Sequence, residues 1–174
     1  MTGLGPRDIA TLISLNGGKL AGKTRLQKSV YLLQRIGAPF QAEFEYYHYG
    51  PYSAEVANAA DFAEMLDLIG SREIPGFKSI PYCMYEIKDS GCDALSAEII
   101  EKKEFVSGNL SKMNSCSAVV LELAATMDYL QTSEGFADPV SETKIRKPNK
   151  ATEENIANAK KLLADLGIPI SENK

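Results

Sequence analysis

The stretch KTRLQKSVYLLQRIG, residues 23–37, is the first of two neighbouring segments that decide the fold. Leu26, Val30 and Leu33 recur at helical spacing and form one apolar stripe, which predicts an amphipathic helix near 24–36. Thr24 followed three residues later by Gln27 is the pattern of a capping box, which predicts where this helix begins. The segment is therefore read as a helix that presents one face to a core.

The second segment, FEYYHYGPYSAEV at residues 44–56, follows after a short gap. Its aromatic residues are strand formers, so its first half predicts a short extended strand. Gly50-Pro51 is a turn signal. Ser53 is a good N-cap residue and predicts that a third helix starts there and runs over 53–69.

Outward from these two segments, a first helix is predicted near 6–16 and a β-hairpin near 72–88. A fourth helix is predicted at about 92–103, and residues 107–115 are predicted to form a connector or a short helix. Ser115 or Ser117 opens a strong helix, Asp138 with Pro139 starts another, and Thr152 caps the last. The core is predicted to include Leu12, Leu26, Val30, Leu33, Val56, Ala63 and Leu66.

This order of elements predicts a mainly α fold with a small β-hairpin, of the α+β class. Three helices followed by a hairpin and a further helix are typical of a winged helix-turn-helix, in which the hairpin is the wing. We therefore predict a winged-helix-like domain over residues 1–104. A C-terminal helical extension over residues 105–174 is predicted to pack on it as one unit.

Composition excludes several classes of protein. The chain has 174 residues, 44% of them hydrophobic and 24% charged, which is typical of a globular protein. It lacks a run of about 18 apolar residues, so no membrane contact is expected, and its first residues do not resemble a signal peptide. Its three cysteines are odd in number and far apart, which predicts reduced thiols and a cytoplasmic location.

Catalytic chemistry has few candidates in this chain. A single histidine, His48, makes histidine-based metal sites and a Ser-His-Asp triad poor hypotheses. The acidic residues show no recognisable catalytic spacing. We expect no catalytic residue, no metal and no cofactor, and the chain is not expected to be an enzyme.

The two deciding segments carry a resemblance to a known family. A Leu-Gln-Lys helix, an aromatic strand and a Tyr-Gly-Pro turn into a helix resemble the YwgA-like family of uncharacterised bacterial and archaeal proteins. More distantly they resemble the Panacea (SocA-like) antitoxin domain. The positions that carry the resemblance are Leu26, Gln27, Lys28, Tyr31, Tyr49, Gly50, Pro51 and Ser53.

The C-terminal part carries a weaker version of the same resemblance. Residues 121–130 and 144–167 are similar to the C-terminal helices of YwgA-like chains. The resemblance implies a mainly helical domain without established catalysis. In Panacea relatives it implies the binding and neutralising of a toxin, or the delivery of a protein partner. It supplies no catalytic residue.

Charge is uneven along the chain and bears on DNA binding. The formal net charge is −4, and residues 54–113 carry most of the acidic excess. In a winged helix the third helix would read the major groove, yet residues 53–69 contain four acids and no lysine or arginine. DNA affinity depends largely on cations that neutralise phosphates. DNA is thus a possible partner that the acidic third helix disfavours.

A nucleotide-binding alternative depends on residues 17–24. The letters GGKLAGKT fit the phosphate-loop pattern, with Lys23 and Thr24 in the phosphate-binding positions. Such a loop must follow a buried strand, whereas the preceding residues have helical periodicity. A Gly-rich turn between helices is the competing interpretation, and a nucleotide-dependent enzyme is the third and least favoured hypothesis.

The candidate binding surface lies where the resemblance is densest. Arg25 and Lys28 are three apart on the second helix and would share one face. With the free backbone N–H groups of the third helix they would form a positive patch for a partner's carboxylate or phosphate. The candidate partner- or anion-binding residues are Arg25, Lys28, Tyr49, Gly50, Pro51, Tyr52 and Ser53. The alternative is that Gln27 and Lys28 only tie the aromatic turn to the second helix.

The sequence therefore favours a non-enzymatic module that binds a protein partner, antitoxin-like or related to conflict with phage. A DNA-binding winged-helix regulator is the second hypothesis. The oligomeric state is not indicated by the sequence.

Overall fold

The structure is a computed structural model that describes residues 3–173. The helices are α1 Pro6–Leu15, α2 Lys23–Arg35, α3 Ala54–Met65, α4 Asp89–Cys92, α5 Ala97–Ile100, α6 Lys103–Asn114, α7 Ala118–Thr132, α8 Pro139–Arg146 and α9 Glu153–Asp165. The strands are β1 Lys19–Ala21, β2 Glu45–Tyr47, β3 Gly50–Tyr52, β4 Ile69–Ile74 and β5 Tyr82–Ile87. The predicted α+β class, mainly helical with small antiparallel sheets, is confirmed.

The strands form two small antiparallel sheets, one of three strands and one of two. In the larger one the strand order is β1-β5-β4, so that Tyr85 of β5 lies between Leu20 and Ser71. The smaller one is the hairpin of β2 and β3, in which Tyr46 lies opposite Pro51 and Tyr47 opposite Gly50. The sequence predicted the two arms of the larger hairpin but not β1, which is only three residues long.

The helix α7 lies at the centre of the molecule. It packs against α2, α8, α9 and strand β3, and its residues are buried nearly all round, as expected of a helix enclosed by others. The same continuous core includes residues from α1, α2 and α3. The division at residue 104 stays a prediction; that position lies inside α6.

Several local predictions are confirmed by capping geometry. The Ser53 hydroxyl accepts a hydrogen bond from the N–H of Val56 at the start of α3, and the Asp138 carboxylate accepts one from Ser141 at the start of α8. Ser117 and Thr152 cap α7 and α9 in the same way. These side chains satisfy backbone groups that a helix leaves without internal partners.

Other predictions were wrong. The third helix ends at Met65 rather than Ile69, so Leu66 is 59% exposed, while the other six predicted core residues are buried. The chain turns at Asp67, which has positive φ, and β4 starts at Ile69. The fourth predicted helix is broken into the single turns α4 and α5, and the polar stretch after it belongs to the helix α6.

Within residues 3–173, no helix is long and apolar enough to cross a membrane, and no cluster of side chains is suited to hold a metal ion. Cys83, Cys92 and Cys116 are all free thiols.

Candidate functional site: the groove at the start of α2

Side chains of the helix α2 bind the backbone of the β2–β3 hairpin and of the residue that follows it. The amide of Gln27 exchanges two hydrogen bonds with the backbone of Ser53, at 2.8 and 2.9 Å. The ammonium of Lys28 donates to the carbonyl oxygen of Pro51 at 2.6 Å. Both side chains are buried, so the tie between the turn and the second helix, which the sequence left open as an alternative, is present.

The predicted positive patch of Arg25 and Lys28 does not form. Lys28 is only 1% exposed. Arg25 points elsewhere and donates to the carbonyl oxygens of Met113 and Cys116, at 3.0 and 2.7 Å. Its guanidinium therefore satisfies carbonyl groups at the end of α6, a common role for cations at helix C-termini. Sharing a helix face did not place the two cations together at the surface.

A charged network lies beneath the hairpin. Glu122 of α7 is nearly fully buried and lies 2.8 Å from the ammonium groups of both Lys147 and Lys150. Lys147 also donates to the carbonyl oxygen of His48 at 2.7 Å. The charges of this network act on Lys28: burial lowers the pKa of Lys28 to about 8, Glu122 opposes the shift, and Lys147 and Lys150 add to it.

The hairpin divides the remaining predicted site residues into an inner and an outer set. Gly50, Pro51 and Ser53 are buried and serve the turn. Tyr49 is 56% exposed, and its ring covers the ammonium of Lys150 at 4.6 Å. Tyr52 is half-buried, with its ring 5.5 Å from that of Tyr47. Of the predicted site residues on the hairpin, Tyr49 and Tyr52 are therefore the ones accessible to a partner.

Two adjoining cavities form a groove around the start of α2, which we call the α2 groove. The outer cavity, about 690 Å³, is lined by Tyr49 on one hairpin and by Ile80 and Tyr82 on the β4–β5 hairpin, which form its second wall. The inner cavity, about 380 Å³, extends between α2 and α3. The predicted residues that line one or both cavities are Lys23, Thr24, Arg25, Lys28, Tyr49 and Tyr52.

The start of α2 contributes positive charge to the α2 groove, whose lining also includes the acids Glu73 and Asp61. The N-cap of α2 is Gly22, and no side chain of residues 3–173 caps this end, so the predicted capping box of Thr24 and Gln27 was wrong. The first-turn N–H groups are left for solvent or a ligand, and the helix dipole adds partial positive charge. Lys23 is exposed and makes no ion pair within the described residues.

The phosphate-loop pattern does not have the required context. The helix α1, not a buried strand, precedes residues 17–24, and the three-residue strand β1 occupies the middle of the segment. Gly17, Gly18 and Gly22 all have positive φ, so the glycines serve the turns on either side of β1. Lys23 and Thr24 lie together in the groove without a surrounding loop.

Sequence reasoning missed the second wall of the groove. Ile80 and Tyr82 lie in and just after the β4–β5 loop, and Tyr85 lines the inner cavity from β5. The hairpin itself was predicted, but the packing of its loop opposite Tyr49 depends on the β1–β5 pairing, for which the sequence gives no signal. A second missed feature is the outer face of α3, where Phe62 and Met65 are exposed.

The site and fold define an α+β protein with a solvent-open groove and no recognisable catalytic constellation among residues 3–173. No model of a known protein family matches the chain. The chain is similar to the uncharacterised protein YwgA of Bacillus subtilis (strain 168), with 25% identity over 158 residues that cover 87% of this chain and 90% of YwgA. This similarity supports the YwgA-like resemblance.

Proposed function

We propose that the protein is a non-enzymatic module that binds a protein partner through the α2 groove. The observation that carries the proposal is the open groove, in which apolar and aromatic side chains lie beside Lys23 and the uncapped first turn of α2. Ile80 is 70% exposed and Tyr49 56% exposed, although both are large and apolar. Exposed walls of this kind are typical of recognition surfaces.

The chemistry of the groove favours a segment that combines a carboxylate with a large apolar side chain. A carboxylate would accept from the free N–H groups of the first turn of α2 and pair with Lys23. The apolar side chain would lie between Tyr49 and Ile80. The Panacea resemblance suggests a toxin protein as the source of the segment, and this assignment is part of the proposal.

A winged-helix arrangement for the N-terminal part also belongs to the proposal. It is supported by the order of α1, β1, α2, α3, β4 and β5, and by the strand order β1-β5-β4. This topology favours a DNA-binding regulator as the second candidate function. Against it, residues 36–53, which include the β2–β3 hairpin, replace the short turn that joins the two helices of a DNA-reading pair.

A selection from a random synthetic peptide library with amidated C-termini tests the proposal, because every carboxylate in such a library belongs to an aspartate or a glutamate. We expect the enriched peptides to combine an acidic residue with an aromatic or large aliphatic one. A synthesised consensus peptide should bind about tenfold more weakly to the double variant Lys23→Glu with Ile80→Ser, since both charge and wall are changed.

The matched control is Lys144→Glu with Ile145→Ser on α8, where Ile145 is exposed and Lys144 is half-exposed and paired with Glu153. This control should leave the affinity unchanged. Enriched peptides without acidic residues, or equal loss of binding in both double variants, would contradict the proposal.

A further inference from the structure

The outer face of α3 exposes three large apolar side chains that lie outside the hydrophobic core. Phe62, Met65 and Leu66 are 54%, 77% and 59% exposed. Their spacing places them side by side on the helix. The opposite side of α3 contributes Val56 and small alanines to the core, whereas more than half of each of the three exposed residues lies in solvent. We call these three residues the α3 face.

Acidic groups flank the α3 face. Glu55 lies about two turns before Phe62 and about three turns before Leu66 on the same side of the helix, and Asp61 lies about one turn before Met65. The carboxylate of Glu55 accepts a hydrogen bond from the N–H of Glu43 at 2.7 Å, which brings a third acid beside Glu55 at the N-terminal end of α3. None of these three acids forms an ion pair within the described residues.

This charge pattern selects among the possible occupants of the α3 face. A second copy of this chain would bring the same acids and no lysine or arginine on its α3, so it offers no cations to complement them. Phosphate groups of DNA or of anionic lipids would be repelled by these acids. The remaining occupant is cationic and apolar, because positive side chains complement Glu55 and Asp61 while apolar ones cover Phe62 and Met65.

We infer that the α3 face docks a cationic amphipathic helix of a partner protein. Its aliphatic side chains pack on Phe62, Met65 and Leu66, and its lysines or arginines pair with the flanking acids. The inference goes beyond the proposed function: the groove offers Lys23 and the N-terminus of α2 to an acidic segment, whereas the α3 face is flanked by acids and takes a basic one. The two surfaces lie on different sides of α3, with Asp61 at their border.

The probe is a synthetic helical peptide of about 18 residues with leucines on one face and lysines on the other, labelled for fluorescence anisotropy. A second peptide carries glutamates in place of the lysines. We expect the lysine peptide to bind and the glutamate peptide not to bind. The double variant Phe62→Ser with Met65→Ser should lose about tenfold in affinity or more, because the contacting apolar surface is removed.

A charge-reversal variant, Glu55→Lys with Asp61→Lys, tests the flanking acids separately. It should weaken the lysine peptide about tenfold and reduce the difference in affinity between about 50 and 300 mM salt. Phe105→Ser on α6 is the matched control, since Phe105 is a similarly exposed phenylalanine, and it should bind like wild type. The groove variant Lys23→Glu with Ile80→Ser should also bind like wild type, which separates this test from that of the groove.

Three outcomes would overturn the inference. One is equal binding of the two peptides, and another is unchanged binding in both α3 variants. The third is a wild-type dimer in light scattering that Phe62→Ser with Met65→Ser abolishes, because the occupant would then be a second copy of this chain. The replaced side chains are exposed, so melting temperatures should stay close to wild type and folding should not limit the comparison.

Discussion

At the scale of single residues, Lys28 shows how one ammonium group can hold an element in place from inside the molecule. Its side chain is 1% exposed and donates to the carbonyl oxygen of Pro51. The neighbouring charges are the carboxylate of Glu122 and the ammonium groups of Lys147 and Lys150. Desolvation outweighs the attraction of one carboxylate, and the pKa of Lys28 falls to about 8.

This lowered pKa makes stability depend on pH in a defined window. The unfolded chain holds the Lys28 proton up to a pKa of about 10.4, whereas the folded chain releases it from about pH 8. Between these values the unfolded state binds more protons, so raising the pH stabilises the fold. We expect the Lys28 contribution to the free energy of unfolding to increase by about 2 kcal/mol from about pH 7.5 to 9.5, measured by urea unfolding.

Lys28→Met is the variant that isolates this effect. Between about pH 7.5 and 9.5 its free energy of unfolding should rise by about 2 kcal/mol less than that of the wild type. Lys144→Met, at a half-exposed position on α8, is the control and should keep the wild-type slope. Buried Tyr31 and Tyr85 have raised pKa values and act in the opposite direction above about pH 10, which is why the comparison stops below that pH. Parallel pH profiles for wild type and Lys28→Met would contradict the assignment.

At the scale of elements, the β2–β3 hairpin could be predicted in part. Its aromatic residues and the Gly50-Pro51 turn signal predicted an extended segment and a turn, and Ser53 predicted the next helix. The inward side of the hairpin could not be predicted, because its contacts come from α2, α7 and α8, which are distant in sequence. Arg25 and Lys28 illustrate the limit: helical periodicity places them on one face, but tertiary contacts separate their charges.

Gly50 is the position at which this element depends on a specific residue. Its φ is +83°, and a Cβ added there would lie 2.3 Å from the hydroxyl oxygen of Thr126 on α7. Gly50→Ala therefore combines backbone strain of about 1 kcal/mol with overpacking of about 1–3 kcal/mol. We expect a loss of about 2–4 kcal/mol in the free energy of unfolding, measured by urea denaturation.

Gly17→Ala is the matched control for the hairpin. Gly17 has a similar φ of +75°, but a Cβ there would meet no atom within 4 Å. Gly17→Ala should lower the free energy of unfolding only by the backbone strain, about 1 kcal/mol. If the two variants were equally destabilised, the close approach of the hairpin to α7 would not be the reason for glycine at position 50.

At the scale of the whole molecule, the sequence predicted the fold class and most long helices because their apolar periodicity and caps are local signals. It did not predict the strand β1, the broken segment between β5 and α6, or the central place of α7. Those features depend on pairings between distant segments, as when Tyr85 lies between Leu20 and Ser71. The same limit applies to the groove, whose two walls come from different hairpins.

The distribution of charge over the whole molecule bears on whether the protein binds DNA. The net charge is −4, and α3 has no lysine or arginine. On the β4–β5 hairpin, Arg72 is paired with Glu86, which also lies 3.4 Å from Lys19. Among the described residues, the elements that would face DNA in a winged-helix complex therefore carry few unpaired cations, and we expect weak binding of random duplex DNA with a shallow dependence on salt.

Fluorescence anisotropy with a labelled random duplex, titrated between about 50 and 200 mM salt, measures both quantities. The charge-reversed double variant Glu55→Lys with Asp61→Lys serves as a comparison, because it adds cations at the helix that would enter the major groove in a winged-helix complex. If the acids of α3 are what prevents DNA binding, this variant should bind duplex more tightly than wild type and with a steeper salt dependence. Tight and steeply salt-dependent binding by the wild-type protein would instead favour the DNA-binding regulator, since the necessary phosphate contacts would then come from cations outside α3.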